Sequence, residues 1–113
     1  MKLLIIDDNR DLVKLMSRQF TSAGYTVKTA FAGYEVLGLI KSEYVPDFII
    51  LDLYLPDRGG AELLSTLITR WEFARIYIHS GHIESAKAFS SSVCGSFRKG
   101  VDSIKDMIET MGK

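Results

Sequence analysis

Five polar residues that could bind a metal ion or a phosphoryl group stand directly after runs typical of β-strands. They are Asp7 and Asp8 after residues 3–6, Asp52 after residues 48–51, Ser80 after residues 74–79 and Lys99 after residues 94–98. The carboxyl ends of parallel strands meet at one edge of an open sheet, and ligands bind there. We therefore expect these five side chains to converge although they are far apart in the sequence.

Three of the five residues are carboxylates, and carboxylates in one pocket repel each other. At about 4 Å a pair repels by about 1 kcal/mol in water and about 4 kcal/mol at an effective dielectric of 20. A hard divalent cation offsets this repulsion, and Mg²⁺ binds through one or two carboxylates, waters and phosphate oxygens. Asp7, Asp8 and Asp52 are therefore candidate ligands of Mg²⁺ or Mn²⁺.

The same residues have the chemistry needed to form an aspartyl phosphate. A carboxylate such as Asp52 can attack a phosphoryl group if the charge on the transferring oxygens is neutralised. Lys99 would supply positive charge, and the Ser80 hydroxyl with the Gly81 N–H could donate hydrogen bonds to a phosphoryl oxygen.

The elements that must position these residues follow from the apolar pattern. Unbroken apolar runs at 3–6 and 48–51 predict buried strands, and 25–29 alternates like a third strand. Apolar residues at helical spacing predict four helices, and a weaker fifth helix is predicted over 83–91. In chain order, the apolar faces of the four are Leu12, Leu15, Met16 and Phe20, before Gly24; Val36, Leu37 and Ile40; Leu63, Leu64, Leu67, Ile68 and Trp71; and Val101, Ile104, Ile108 and Met111. This alternation predicts five β/α units: a parallel sheet with helices on both faces.

Composition limits the classes of function. With 113 residues and 47% hydrophobic residues, we expect one domain over residues 1–113. Lys plus Arg equals Asp plus Glu at 14 each, so no overall field favours nucleic acid or a membrane surface. The single Cys94 and an N-terminal apolar run too short for a signal peptide or a membrane span favour a cytoplasmic protein.

The ordered set of motifs resembles the receiver domain of two-component response regulators. It consists of Asp7-Asp8, then Asp52-Leu-Tyr-Leu-Pro56 with Gly60, then Ser80-Gly81, then Lys99. Asp8 and Asp52 are 44 residues apart, and the resemblance spans essentially the whole chain. It implies a flavodoxin-like, doubly wound (βα)5 fold with strand order 2-1-3-4-5.

The resemblance also implies roles for the residues. Asp52 would accept a phosphoryl group from a sensor histidine kinase or histidine phosphotransfer protein. Asp8, Asp52 and the Tyr54 carbonyl would bind the metal ion, Asp7 would hold a metal-bound water, and Lys99 and Ser80 would contact the phosphoryl group. The output would be altered binding to a downstream protein or effector domain, and the only catalysis would be the domain's own phosphorylation and dephosphorylation.

Simpler structural roles stand beside these. Asp7, Asp8 and Asn9 could cap the first helix, since Asp and Asn are favoured at that position. Asp52 could simply begin a loop, Ser80 could serve only a Ser-Gly turn, and Lys99 beside Arg98 could be a solvated surface pair.

Four loop residues beyond the strand ends have open roles. Tyr54 and His82 lie two residues past Asp52 and Ser80, where family members carry side chains that set the lifetime of the phosphoryl group. Alternatively, both are ordinary exposed side chains. Asp57 and Arg58 are expected to be solvated loop charges.

Three features depart from the family pattern. Gly100 follows the lysine where proline in a cis peptide bond is usual, so we expect a trans bond or a remodelled turn. The usual aromatic switch position holds Ser96, and Phe97 is expected to point into the core. The interval from Ser80 to Lys99 is shorter than is usual in the family, and it includes a serine-rich stretch over Ala86 to Gly95.

Two alternative functions stand beside phosphorylation of Asp52, and the departures at Gly100 and Ser96 raise only the first of them. One is a degenerate receiver that acts as a phosphorylation-independent interaction module. The other is a hydrolase with an aspartyl-phosphate intermediate, similar to haloacid-dehalogenase-like phosphatases. The second is disfavoured because Asp52 is followed by Leu53-Tyr54 and not by an aspartate two residues on that could serve as general acid.

Overall fold

Strands and helices alternate along the chain in the predicted order. The computed structural model describes residues 1–112, apart from the side chains of Ile83 and Ser85, and Lys113 of the predicted domain lies outside the described residues. The first half contains β1 (Lys2–Ile6), α1 (Arg10–Ser22), β2 (Thr26–Ala30), α2 (Gly33–Lys41) and β3 (Phe48–Leu51). The second half contains β4 (Tyr54–Leu55), β5 (Arg58–Gly59), α3 (Gly60–Arg70), β6 (Arg75–Ser80), α4 (Ile83–Ala88), β7 (Gly95–Arg98) and α5 (Ile104–Met111).

Five of the strands form one parallel sheet in the order β2-β1-β3-β6-β7. This is the predicted order 2-1-3-4-5, because β4 and β5 form a separate antiparallel pair after Asp52. Ile6 pairs with Leu51, and Leu51 pairs with Ile78. β1 and β3 therefore end level with each other, and β6 continues two residues further, to Ser80, which pairs with Arg98 at the end of β7. All four strands still end at the same rim.

The sheet is buried on both faces. Alternate residues along β1, β3 and β6 enter two separate apolar clusters, as expected for strands covered by helices on each side. One cluster joins the sheet to α2 and α3 through Leu4, Ile49, Ile78, Val36 and Leu67. The other joins the sheet to α1 and α5 through Leu3, Ile50, Phe97, Met16 and Met107. The predicted core position of Phe97 is confirmed.

Three apolar residues assigned to helix faces lie elsewhere. Leu15 is 47% exposed, because α1 buries Val13 and Met16 and Leu15 is turned about 100° from Met16 around the helix axis. Ile68 is 39% exposed on α3. Val101 is 67% exposed and precedes α5, which begins only at Ile104.

The loop after Asp52 is tied to α2. The Asp57 carboxylate accepts hydrogen bonds from the N–H groups of Gly33, at 2.8 Å, and Tyr34, at 3.0 Å. These bonds, led by the one from Gly33, lower the Asp57 pKa below its usual value. Arg58 pairs with Glu62 at 3.0 Å, and its stem lies over Gly33 where a Cβ would stand. The expectation that Asp57 and Arg58 are only solvated charges is therefore wrong: they fix the start of α2.

Two further features are the state of the cysteine and the length of the helices. Cys94 is an exposed free thiol. Among residues 1–112, no helix has the length and apolar character needed to cross a membrane.

Candidate functional site

Asp7, Asp8 and Asp52 meet at the carboxyl end of the sheet. One carboxylate oxygen from each lies within 4.8 Å of the others. Asp7 and Asp52 are buried, at 2% and 5% exposed, whereas Asp8 is exposed to solvent. The predicted convergence of these carboxylates is confirmed, and Asp8 gives the cluster an open side.

The two buried aspartates each use one oxygen to hold the loop that follows. Asp7 Oδ1 accepts a hydrogen bond from the Asn9 N–H, and Asp52 Oδ1 accepts one from the Tyr54 N–H, both at 3.0 Å. The N-cap of α1 is Asn9, whose side chain accepts from the Leu12 N–H at 3.1 Å. Capping is therefore the role of Asn9, and the oxygens Oδ2 of both aspartates face the cluster.

Lys99 reaches this cluster from the end of β7, which is two positions from β3 and three from β1 in the sheet. Its Nζ forms ion pairs with Asp7 Oδ2 at 2.8 Å and with Asp52 Oδ2 at 3.1 Å, and it donates a hydrogen bond to Asp52 Oδ2. Burial lowers the Lys99 pKa, but the hydrogen bonds and charges of the two aspartates outweigh it, so the pKa is raised overall. Burial in turn raises the Asp7 pKa despite the neighbouring ammonium. Lys99 is thus an internal counter-charge and not a solvated surface residue.

The turn after Lys99 uses the flexibility of glycine. Gly100 has a φ of 79°, a left-handed conformation that glycine adopts without strain, and residues 1–112 contain no cis peptide bond. The expected trans bond is confirmed. Ser96 is exposed, and Phe97 stacks on Tyr77 with ring centroids 5.4 Å apart.

Ser80 lies at the same rim with a buried side chain, 2% exposed. Its Oγ accepts a hydrogen bond from the His82 N–H at 3.0 Å, so the residue does shape the turn. The ring centroids of Tyr54 and His82 lie 4.9 Å apart. These two exposed side chains, which follow Asp52 and Ser80, therefore contact each other across the rim.

The family model of the response regulator receiver domain matches residues 3–104 of this chain. The chain belongs to this family. Transcriptional regulatory protein KdpE of Mycobacterium tuberculosis is 35% identical over 83 residues, which cover 74% of this receiver domain chain and 36% of that protein. Sporulation initiation phosphotransferase F of Bacillus subtilis is 28% identical over 113 residues, 96% of this chain and 90% of that protein.

The fold agrees with solved receiver domains. A response regulator of Burkholderia pseudomallei, crystallised with a phosphorylated aspartic acid, calcium ion and citrate, superposes with a TM-score of 0.82 at 26% identity. The match covers 97% of this chain and 63% of that one. The chain spans only 28% of response regulator SaeR of Staphylococcus epidermidis and 36% of KdpE. It thus corresponds to about a third of these regulators.

This receiver domain also has a buried histidine that the sequence pattern did not single out. His79 is 4% exposed, and within the described chain its Nδ1 has no hydrogen-bond partner. Because Leu51 pairs with Ile78, His79 stands beside Asp52 in the sheet. Burial, followed by the charge of Lys99, lowers the His79 pKa to about 4. The available signal was one polar residue in an otherwise strand-like run.

Proposed function

We propose that this receiver domain takes a phosphoryl group onto Asp52 from a sensor histidine kinase or a histidine phosphotransfer protein. The observation that carries the proposal is the meeting of three carboxylates with one ammonium at the sheet rim. The similar response regulator of Burkholderia pseudomallei, whose crystals contain a phosphorylated aspartic acid, supports it. Residues 1–113 would act as a single domain.

A divalent cation fits the donor set. The cluster holds three carboxylates against one ammonium, so it carries an excess of negative charge, and all of its donor atoms are the hard oxygens that Mg²⁺ or Mn²⁺ prefers. Asp8, Asp52 and the Tyr54 carbonyl would hold the ion, and Asp7 would hold one of its waters. When bound, the ion supplies positive charge that neutralises the transferring phosphoryl oxygens.

The chain's own residues would divide the remaining work. An Asp52 oxygen forms the new bond to phosphorus while the bond to the donor histidine nitrogen breaks, and that nitrogen keeps the electron pair. Lys99, already 3.1 Å from Asp52, would bind a phosphoryl oxygen and stabilise its charge. The Ser80 hydroxyl would donate a second hydrogen bond after leaving its turn. Tyr54 and His82, at the outer side of the rim, would control access of water to the product.

Phosphorylation would then change the affinity for a downstream protein or an effector domain. Family membership and the free thiol of Cys94 favour this reaction in the cytoplasm. The balanced charge of the chain gives no reason to assign direct nucleic-acid or membrane binding to it.

Mass spectrometry after treatment with acetyl phosphate and Mg²⁺ tests the assignment. Wild type should gain one phosphoryl group, and Asp52→Asn should gain none. Asp11→Asn is a matched control, because Asp11 is an exposed carboxylate of α1 outside the cluster, and it should label like wild type. Equal labelling of Asp52→Asn and wild type would disprove the assignment.

The same experiment separates the degenerate-receiver alternative. A phosphorylation-independent interaction module would stay folded yet fail to gain mass, and it would also fail to bind beryllofluoride in the presence of Mg²⁺. Far-ultraviolet circular dichroism of the same sample establishes that the protein is folded. The proposal requires labelling of the folded chain.

A further inference from the structure

A groove lies along the outer side of α1, between this helix and the edge strand β2, and has a volume of about 790 Å³. The half-buried Phe31 gives it an apolar floor, and Val13 closes it from below as a buried core residue. Thr29 forms part of the wall on the β2 side. The groove is therefore a wide, open depression with apolar surface at its floor, a form that suits the apolar side of an amphipathic segment.

The helix side of the groove is basic. Arg10, Lys14 and Arg18 line it at four-residue spacing, so they form one row along α1, one residue for each turn. All three are exposed, and no carboxylate is among the described residues that line the groove. Within residues 1–112 none of the three takes part in an ion pair. Their charges are consequently available to a ligand.

Two details show how the groove could be filled. The Arg10 guanidinium lies over the Phe31 ring, 4.1 Å from its centroid, so it covers part of one face of the ring and holds its planar donors above the floor of the groove. Ser17 Oγ also lines the groove, is shielded from solvent and lacks a partner in the described chain. A segment that brings both apolar and acceptor groups would satisfy these positions together.

We propose that this groove binds an acidic amphipathic helix of a protein partner. Acidic residues four apart on such a helix would match the one-turn spacing of Arg10, Lys14 and Arg18. Apolar residues between them would pack on the exposed part of Phe31 and on the hydrocarbon stems of the basic row. Nucleic acid and anionic membranes fit less well, because neither supplies apolar side chains to a concave floor and the whole chain carries no net charge. The interaction needs no phosphoryl group and goes beyond the reaction at Asp52.

The test uses the full chain labelled with ¹⁵N and a synthetic helical peptide of Leu, Ala and Glu, with Glu at every fourth position. The peptide is titrated at low salt and amide shifts are recorded, with and without beryllofluoride and Mg²⁺. We expect shifts confined to α1, β2 and Phe31 in both conditions. Lys14→Glu with Arg18→Glu should weaken binding about tenfold or more. Lys41→Glu with Arg70→Glu makes the same change of charge on α2 and α3 and should leave affinity within about twofold.

Several outcomes would overturn the groove proposal. They are absence of binding to the Glu peptide, equal binding of a peptide with Lys in place of Glu, equal affinity of the α1 variant, or shifts outside the groove. Tighter binding to a DNA duplex or to phosphatidylserine vesicles than to the peptide would also overturn it. If the Glu variant does not fold, Lys14→Gln with Arg18→Gln is measured and must weaken binding several-fold. Failure of beryllofluoride to bind would count only against phosphorylation of Asp52 and not against the groove proposal.

Discussion

Replacing the buried His79 with leucine should remove a pH dependence of folding stability that the wild type has. The folded protein holds His79 neutral, with a pKa of about 4, whereas the side chain returns to its ordinary 6.5 on unfolding. Between these two values the unfolded chain binds a proton that the folded chain does not. Stability of the wild type therefore rises with pH across this window and falls on acidification.

The size of the effect follows from the shift. Each pH unit inside the window is worth about 1.4 kcal/mol, so acidification from about pH 6.5 to about pH 5 costs at most about 2 kcal/mol. The pKa of about 4 already includes the negative charge of Asp52, which favours the protonated His79, and the unfolded chain is only partly protonated at the upper end of this range. We therefore expect a loss of about 1 to 2 kcal/mol in wild type that is absent from His79→Leu.

Urea unfolding followed by circular dichroism, at about pH 7, 6 and 5 without divalent cations, measures this difference. Asp7 contributes in the opposite sense, because a raised carboxyl pKa makes the folded state gain stability as pH falls. That contribution is common to both proteins and cancels when His79→Leu is subtracted from wild type. His82→Leu replaces an exposed histidine of the adjacent loop and should retain the wild-type pH dependence.

The reasoning is refuted if wild type and His79→Leu lose stability in parallel between about pH 7 and 5. If the stability of His82→Leu were as independent of pH as that expected for His79→Leu, the pH dependence would belong to His82 and not to His79. Either result would mean that burial at this strand end does not hold His79 neutral.

Three other predictions concern the loop and the charges of the site. Gly60→Ala should lower the free energy of unfolding by about 1 to 3 kcal/mol, because its Cβ would stand 2.6 Å from the Leu53 carbonyl oxygen. Gly59→Ala, which meets nothing within 4 Å, should change it little in the same urea titration, and equal losses would contradict this reading. Lys99→Met should tighten Mg²⁺ binding several-fold in isothermal titration calorimetry, because the ammonium and the cation compete for the same carboxylates; unchanged or weaker binding would contradict the competition. Asp57→Ala should destabilise the protein at neutral pH by uncapping α2. Since the lowered Asp57 pKa makes its contribution disappear on acidification, wild type and variant should converge in stability below about pH 4, and a constant difference would rule out the carboxylate as the cause.

The meeting of Asp7, Asp8, Asp52 and Lys99 was predictable because it depends on strand order alone. Once apolar runs identify parallel strands, every residue that follows a strand is assigned to one rim. The short distances from Lys99 to two aspartates follow from the same geometry, and Gly100 supports them with a positive φ that its sequence position only hinted at.

Contacts between loops were not predictable in this way. The bonds from Gly33 and Tyr34 to Asp57 join residues more than twenty positions apart and depend on the β4–β5 hairpin, which leaves no periodic signal. The prediction of the buried helix faces was wrong at some residues for a different reason. Leu15 and Ile68 are apolar, but apolar residues also occur on exposed surfaces, so hydrophobicity at helical spacing does not by itself fix which side is buried.

The brevity of α4 bears on how a signal could leave the rim. Six residues make fewer than two helical turns, and a segment of this length holds its shape only through its attachment to the rest of the fold. Among its described side chains only Ala86 is buried, in the apolar cluster that also contains Ile78. Because a hydrogen bond contributes about 1 kcal/mol, each contact at the ends of so short a helix is a large share of what holds the surface beside Ser80 in place.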